Sequence, residues 1–344
     1  MTDPRQPRPE CPKRMIYGPC GGVRDDLTCE MAPIPCPFTT DSEPVSWPAA
    51  LDTPVVGASL DPSPLLDGKP IVVTDLPLRP FDRRLLAEST EIVAATCDAV
   101  LIGEHQQRAD FPPTQMAGLV AAAGGRPIVT LSCRDRNRVV LEQELGALAD
   151  SEAAAVLCVT GDGRAPGIRP EVTQVFDLDG TRLAGLAAAA GLIVAVPESP
   201  AAPPQHLRAP RLLQKQHAGA RIAILNHVGS AGAVRAFAAE ARSLGITMSL
   251  LASVAVYTDA HSADVLLRFP GLHLDPTLVA GVLGADDPVG AGIDAAVAEA
   301  VELLSIDGID GVNISGLGSA EGELAAASVK ATIGREIRDR VTAA

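Results

Sequence analysis

The sequence predicts a (β/α)₈ barrel, and three observations predict it. Eight short runs rich in β-branched residues recur along residues 69–344, separated by Ala- and Leu-rich segments of helical length. Those runs are nearly continuous in apolar character, as strands of a parallel sheet are when helices cover its outer face. Eight such units in roughly 270 residues match the ~250 residues of a closed barrel. A doubly wound open sheet is the competing arrangement, weakened because no glycine fingerprint follows the first strand.

The elements follow in order. Residues 1–45 form a Cys-rich segment behind a polar, proline-rich leader, and residues 46–68 read as a linker that wraps the next domain. Strands are predicted at 70–74, 98–103, 127–132, 154–160, 192–196, 221–226, 247–253 and 310–315. Between them, Leu141, Leu145 and Leu148 share a helical face at i, i+4, i+7, and similar stripes run through 83–96, 205–217, 231–244 and 292–305. The C-terminal tail reads as loose.

Composition narrows the function. The 344 residues are 47% hydrophobic but 3% aromatic, so the core must be built from small and branched side chains. A formal net charge of −14 argues against a nucleic-acid surface, which needs clustered Lys and Arg. The longest apolar stretch, 184–196, is interrupted by Gly191 and falls short of the ~20 residues that span a bilayer. No basic start precedes an apolar run, so a soluble, cytoplasmic protein is expected.

A barrel carries its chemistry at the C-terminal ends of its strands. Those exits hold Asp75; Glu104 and His105; Cys133, Arg134, Asp135 and Arg136; Gly161 and Asp162; and Asn226 and His227. Asp135 can cap the following helix and pair with an arginine. In "TGDGRAPG" a carboxylate stands between glycines, where backbone can approach a flat ligand and the carboxylate can bond an amino-pyrimidine edge. Cys97, Cys133 and Cys158 read as buried packing residues, and "GLGSAEG" as a turn.

The run "TLSCRDRNRVV…AAVLCVTGDG…TQVFDLDG" resembles the central block of methylenetetrahydrofolate reductases. Three of that family's motifs occur in order, at Cys133–Asn137, Thr160–Asp162 and Val175–Asp179, and a looser likeness extends over about residues 70–318. The resemblance implies a (β/α)₈ barrel that reduces 5,10-methylenetetrahydrofolate to 5-methyltetrahydrofolate with NAD(P)H, through bound FAD or FMN. It places Asp75 where the family has an acidic proton donor, one methylene shorter, with Glu104 in reserve. It places Asp162 at the pterin, Asn226 where the family has a folate-binding glutamine, and Arg134 beside the substrate. Thr130, Thr160, Gly161, Arg208, Arg211 and Lys215 fall where the flavin is held. The flavin segment is altered, however, and direct hydride transfer from nicotinamide is the alternative.

"CPKRMIYGPCGG…CE…CPF" is similar to the Cys-rich domain found beside such reductases. Cys11, Cys20, Cys29 and Cys36 suit a structural zinc site; their wide spacing leaves an iron–sulfur cluster, or no metal, as alternatives. The resemblance also admits two other roles, a folate-binding partner subunit of a reductase and a folate-dependent methyl-transfer protein. A homo-oligomer is compatible with any of these.

Overall fold

The structure, a computed structural model, describes residues 6–48, 65, 70–76, 78–105, 108–164, 167–268 and 272–342. Most of the linker expected at 46–68 lies outside the described residues. All eight expected strands are present: β1 (Ile71–Asp75), β2 (Ala99–Ile102), β3 (Pro127–Ser132), β4 (Ala155–Val159), β5 (Val194–Glu198), β6 (Ile222–Leu225), β7 (Ser249–Ala255) and β8 (Gly311–Ser315). They pair in parallel in chain order, and β8 closes on β1 through Ile71–Gly311 and Val73–Asn313.

Strand alternation divides the apolar residues into two layers. Ile71, Val73, Ala99, Leu101, Ile128, Ile222 and Leu251 fill the barrel interior. Val72, Val100, Val129, Val156, Val194 and Val312 face outward and meet the helices.

The helices are α1 (Arg83–Ala94), α2 (Pro113–Ala122), α3 (Arg138–Ala149), α4 (Gly180–Ala189), α5 (Arg208–His217), α6 (Ala231–Ser243), α7 (Ala260–Leu267), α8 (Pro276–Leu283), α9 (Pro288–Leu304) and α10 (Glu323–Thr342). Polar residues just past the strand exits start several of them. Asp82, Asn137, Asp179 and Ser230 each accept a hydrogen bond from a first-turn backbone N–H. Asn137, rather than the expected Asp135, caps α3. Among the described residues no helix is long and apolar enough to cross a membrane.

The tail is the main departure from the expectation. Residues 323–342 form α10, which packs on α1 and carries Lys330, fully buried, into the barrel. The Lys330 ammonium donates to the Asp75 carboxylate and, at 2.8 Å, to the Asp75 carbonyl. Ser315 Oγ donates to the other carboxylate oxygen at 2.6 Å. Asp75, expected as a proton donor, is therefore the counter-charge of a buried lysine. Asp75 does not line the central cavity.

Replacing Asp75 with Asn leaves the Lys330 ammonium buried without its partner. A loss of about 2–3 kcal/mol is expected in urea unfolding, and unchanged stability would return Asp75 to the catalytic candidates.

Candidate functional site

The Cys-rich segment lies across the C-terminal mouth of the barrel. It has a small core of its own, formed by Cys11, Met15, Val23, Cys36 and Phe38. It docks through polar contacts: Ile16 N–H donates to Asp179 (3.0 Å), Arg208 donates to the Cys20 carbonyl (3.0 Å), and Trp47 N–H donates to Gln214 (2.7 Å). Lys13, buried, reaches from the segment to the Glu30 carboxylate and to the Gly161 carbonyl (2.6 Å). The glycines of "GPCGG" fit this approach. Gly18 has φ of +109°, and a Cβ on Gly21 would lie 2.6 Å from Ser199 Oγ.

The four cysteines do not assemble as expected. Cys11, Cys29 and Cys36 are buried and near enough to influence one another's ionisation. Cys20 packs against the same small core and borders the cavity, its thiol donating to Glu30 at 3.4 Å, and burial pushes that thiol up to about 11. Among the described residues, no three His, Cys, Asp or Glu side chains stand close enough together to hold a metal ion. The residues therefore do not fit the zinc or iron–sulfur site expected at Cys11, Cys20, Cys29 and Cys36.

Beneath this roof lies a cavity of about 340 Å³. Lys13, Cys20, Gly21 and Gly22 close it from above; Thr130, Thr160, Gly161 and Asp162 come from the β3 and β4 exits, and Asn226 from β6. Gly161, at φ +90°, is needed because a Cβ there would meet Ser132 Oγ at 2.3 Å. Glu104, from the β2 exit, enters the same space. One of its carboxylate oxygens accepts from Arg136 (2.6 Å) and from Ser132 N–H (3.2 Å). Burial raises its pKa above the usual glutamate value, opposed by the Arg136 charge.

Not every predicted residue keeps its predicted role. Thr160 Oγ1 accepts from Gly180 N–H (2.9 Å) and contacts Met15 Sδ (3.5 Å), so it joins β4 to α4 and the roof. Arg134 lines the cavity, yet its guanidinium donates to Asp135 (2.9 Å) and the His105 carbonyl (3.1 Å), as a strut. Asn226 donates to Ser199 Oγ (2.8 Å), and the Asp162 carboxylate acts electrostatically on Lys13.

The flavin expectation meets the clearest obstacle. Glu198, at the end of β5 with no exposed side-chain surface, takes Arg211 at 2.9 Å, Lys215 at 2.8 Å and Arg208 at 3.7 Å. Arg208 also donates to the Ala202 carbonyl at 2.7 Å. These three side chains, expected at a flavin phosphate, are turned towards Glu198, whose single carboxylate offsets only one of their charges, and Arg211 Nε is buried without a hydrogen-bond partner among the described residues. Burial alone would push Glu198 up, but Lys215, Arg211 and Arg208 together outweigh it and hold its carboxyl at about 2. Burial, then the neighbouring Arg211 charge, push Lys215 down to about 7. Glu198 escaped the sequence reading. Its signal was the spacing of Arg208, Arg211 and Lys215 at i, i+3, i+7, one helical face needing an anion.

No family model matches the chain, and no curated protein matches it. Among solved structures, an uncharacterized protein from Clostridium thermocellum that binds two copies of 5-methyl-5,6,7,8-tetrahydrofolic acid is 12% identical, over 77% of this chain and 94% of its own, with a TM-score of 0.55. Tryptophan synthase from M. tuberculosis is also 12% identical, over 79% of this chain and 94% of its own, with a TM-score of 0.48. At such identities the first likeness shows the barrel fold alone, and no argument rests on the second.

Glu198→Gln should destabilise the protein by roughly 3–5 kcal/mol, since it strands buried cations. With a folded pKa below the ordinary 4.5, the Glu198 contribution is complete above about pH 5 and is lost as pH falls towards 2. Acid unfolding followed by circular dichroism should therefore show a shallower acid limb in the variant; an unchanged limb would count against the cluster.

Proposed function

We propose that the cavity binds a reduced folate and that the protein reduces 5,10-methylenetetrahydrofolate to 5-methyltetrahydrofolate with NAD(P)H. The observation that carries this reading is Glu104, a carboxyl group of raised pKa at the edge of a roofed cavity that also holds Asp162 and Asn226. The barrel-fold neighbour that binds 5-methyltetrahydrofolic acid supports it, as do the motifs at Cys133–Asn137 and Thr160–Asp162.

The chemistry needs one proton and one hydride. Glu104, in its acid form, protonates N10 as the bond from N10 to the methylene carbon breaks, which leaves an iminium at N5. Hydride from the nicotinamide then adds to that carbon, giving the N5-methyl group and the oxidised dinucleotide. Asp162 accepts from the amino-pyrimidine edge of the pterin and offsets the cationic iminium. Asn226 supplies an amide to the same ring. With Arg208, Arg211 and Lys215 all turned to Glu198, hydride in this reading passes directly from nicotinamide to folate.

The engagement of Asp75 by Lys330 favours one second reading, a folate-binding partner subunit without turnover. Glu104→Gln separates the two. In the catalytic reading the variant binds 5-methyltetrahydrofolate with wild-type affinity by calorimetry and loses about 10²–10⁴ in kcat. The wild-type rate should fall as pH rises through the Glu104 pKa, because the acid form is required. A wild-type protein that binds folate but shows no NAD(P)H oxidation would establish the second reading.

A further inference from the structure

Glu104 stands where three cavities meet. Besides the central one, a cavity of about 260 Å³ shares Gly103, Glu104 and Thr130 with it, and a wider one of about 690 Å³ shares Gly103 and Glu104. The two side cavities differ in charge. The wider one is bordered by Glu104, Asp110 and Glu323 and contains neither Lys nor Arg. The smaller one is ringed by Arg108, Arg136, Arg164 and Arg169, over a floor that includes Ile102, Phe111, Met116 and Val129. Four guanidinium groups around one small hollow are conspicuous on a chain with a formal charge of −14.

The carboxylates of this cavity are already engaged. Asp135 takes Arg134 (2.9 Å) and Arg164 (2.6 Å), while Asp110 accepts from the N–H groups of Phe81 (2.8 Å) and Phe111 (2.7 Å). Arg136 is paired with Glu104. Arg169 is exposed and 3.7 Å from an exposed Glu171, a contact too weak to hold it. Arg108, also exposed, makes no hydrogen bond or ion pair among the described residues. Two guanidinium groups are thus available above an apolar floor.

We propose that this arginine-ringed cavity is the subsite for the arylamide arm of the folate, its benzoyl ring on the apolar floor and its glutamate carboxylates on Arg108 and Arg169. The inference rests on the folate reading above. A pterin in the central cavity can send its side chain out past Glu104, and of the two cavities that adjoin there the acidic one repels carboxylates and the arginine-ringed one attracts them. Further γ-linked glutamates would extend over the same rim, so polyglutamylated folates should bind more tightly than the monoglutamate.

The test is a set of titrations on the wild type and on the Arg108→Ala, Arg169→Ala double variant. The probes are 5-methyltetrahydrofolate as mono- and triglutamate, 6-methyltetrahydropterin, which lacks the arm, and NADH. Both side chains are exposed, and an unchanged melting temperature verifies the fold. The double variant should bind the monoglutamate about tenfold more weakly and lose the advantage of the triglutamate, with pterin and NADH affinities unchanged. Unchanged folate affinity, with wild-type binding intact, would overturn the inference and leave the folate reading standing. Weakened NADH with folate unaffected would assign the arginines to the pyrophosphate of the dinucleotide. A wild type that binds no folate at all would remove both.

Discussion

The arrangement depends on one buried carboxylate. Glu198 ends β5 inside the protein, where an isolated charge would be prohibitive, and three cations from α5 and its first turn surround it. The cluster fixes α5 against the sheet. Through Arg208 it also reaches the carbonyl of Cys20 and so holds the N-terminal segment over the mouth. Lys13 makes the matching contact on the far side, from the segment to the β4 exit at Gly161. Without these two anchors the central cavity would be an open bowl rather than a roofed chamber.

Roofing has a chemical consequence. Burial, opposed by the Arg136 charge, raises the pKa of Glu104, which under the proposed reading suits it to deliver a proton. The same enclosure strengthens the interaction of Asp162 with any cation formed nearby. The two acids differ in setting: Glu104 pairs with Arg136 at the rim, whereas Asp162 lies under Lys13.

Much of this was legible in the sequence. The eight apolar runs located every strand to within two residues or so, because parallel strands buried on both faces leave a strong local signal. The strand-exit rule picked out Glu104, Asp162 and Asn226, which border the central cavity. What failed depended on partners distant in sequence. Nothing near Asp75 announces Lys330, 255 residues later, and the tail that carries it reads as loose because its helix is only weakly amphipathic. Arg208, Arg211 and Lys215 were recognised as a basic set, but their anion lay in the preceding strand and a cofactor phosphate was put in its place. The cysteine spacing suggested a ligand set, but among the described residues no three such side chains stand close enough together to hold a metal ion.

The central claim is that hydride passes from nicotinamide to a folate held beside Glu104, with no flavin between them. The most direct measurement is to supply NADH deuterated at the transferred position with 5,10-methylenetetrahydrofolate in ordinary water, and to weigh the 5-methyltetrahydrofolate formed. The account predicts one deuterium in each methyl group. Loss of the label to solvent, as a flavin N5–H that exchanges with water would cause, or no methyl product at all, would contradict it.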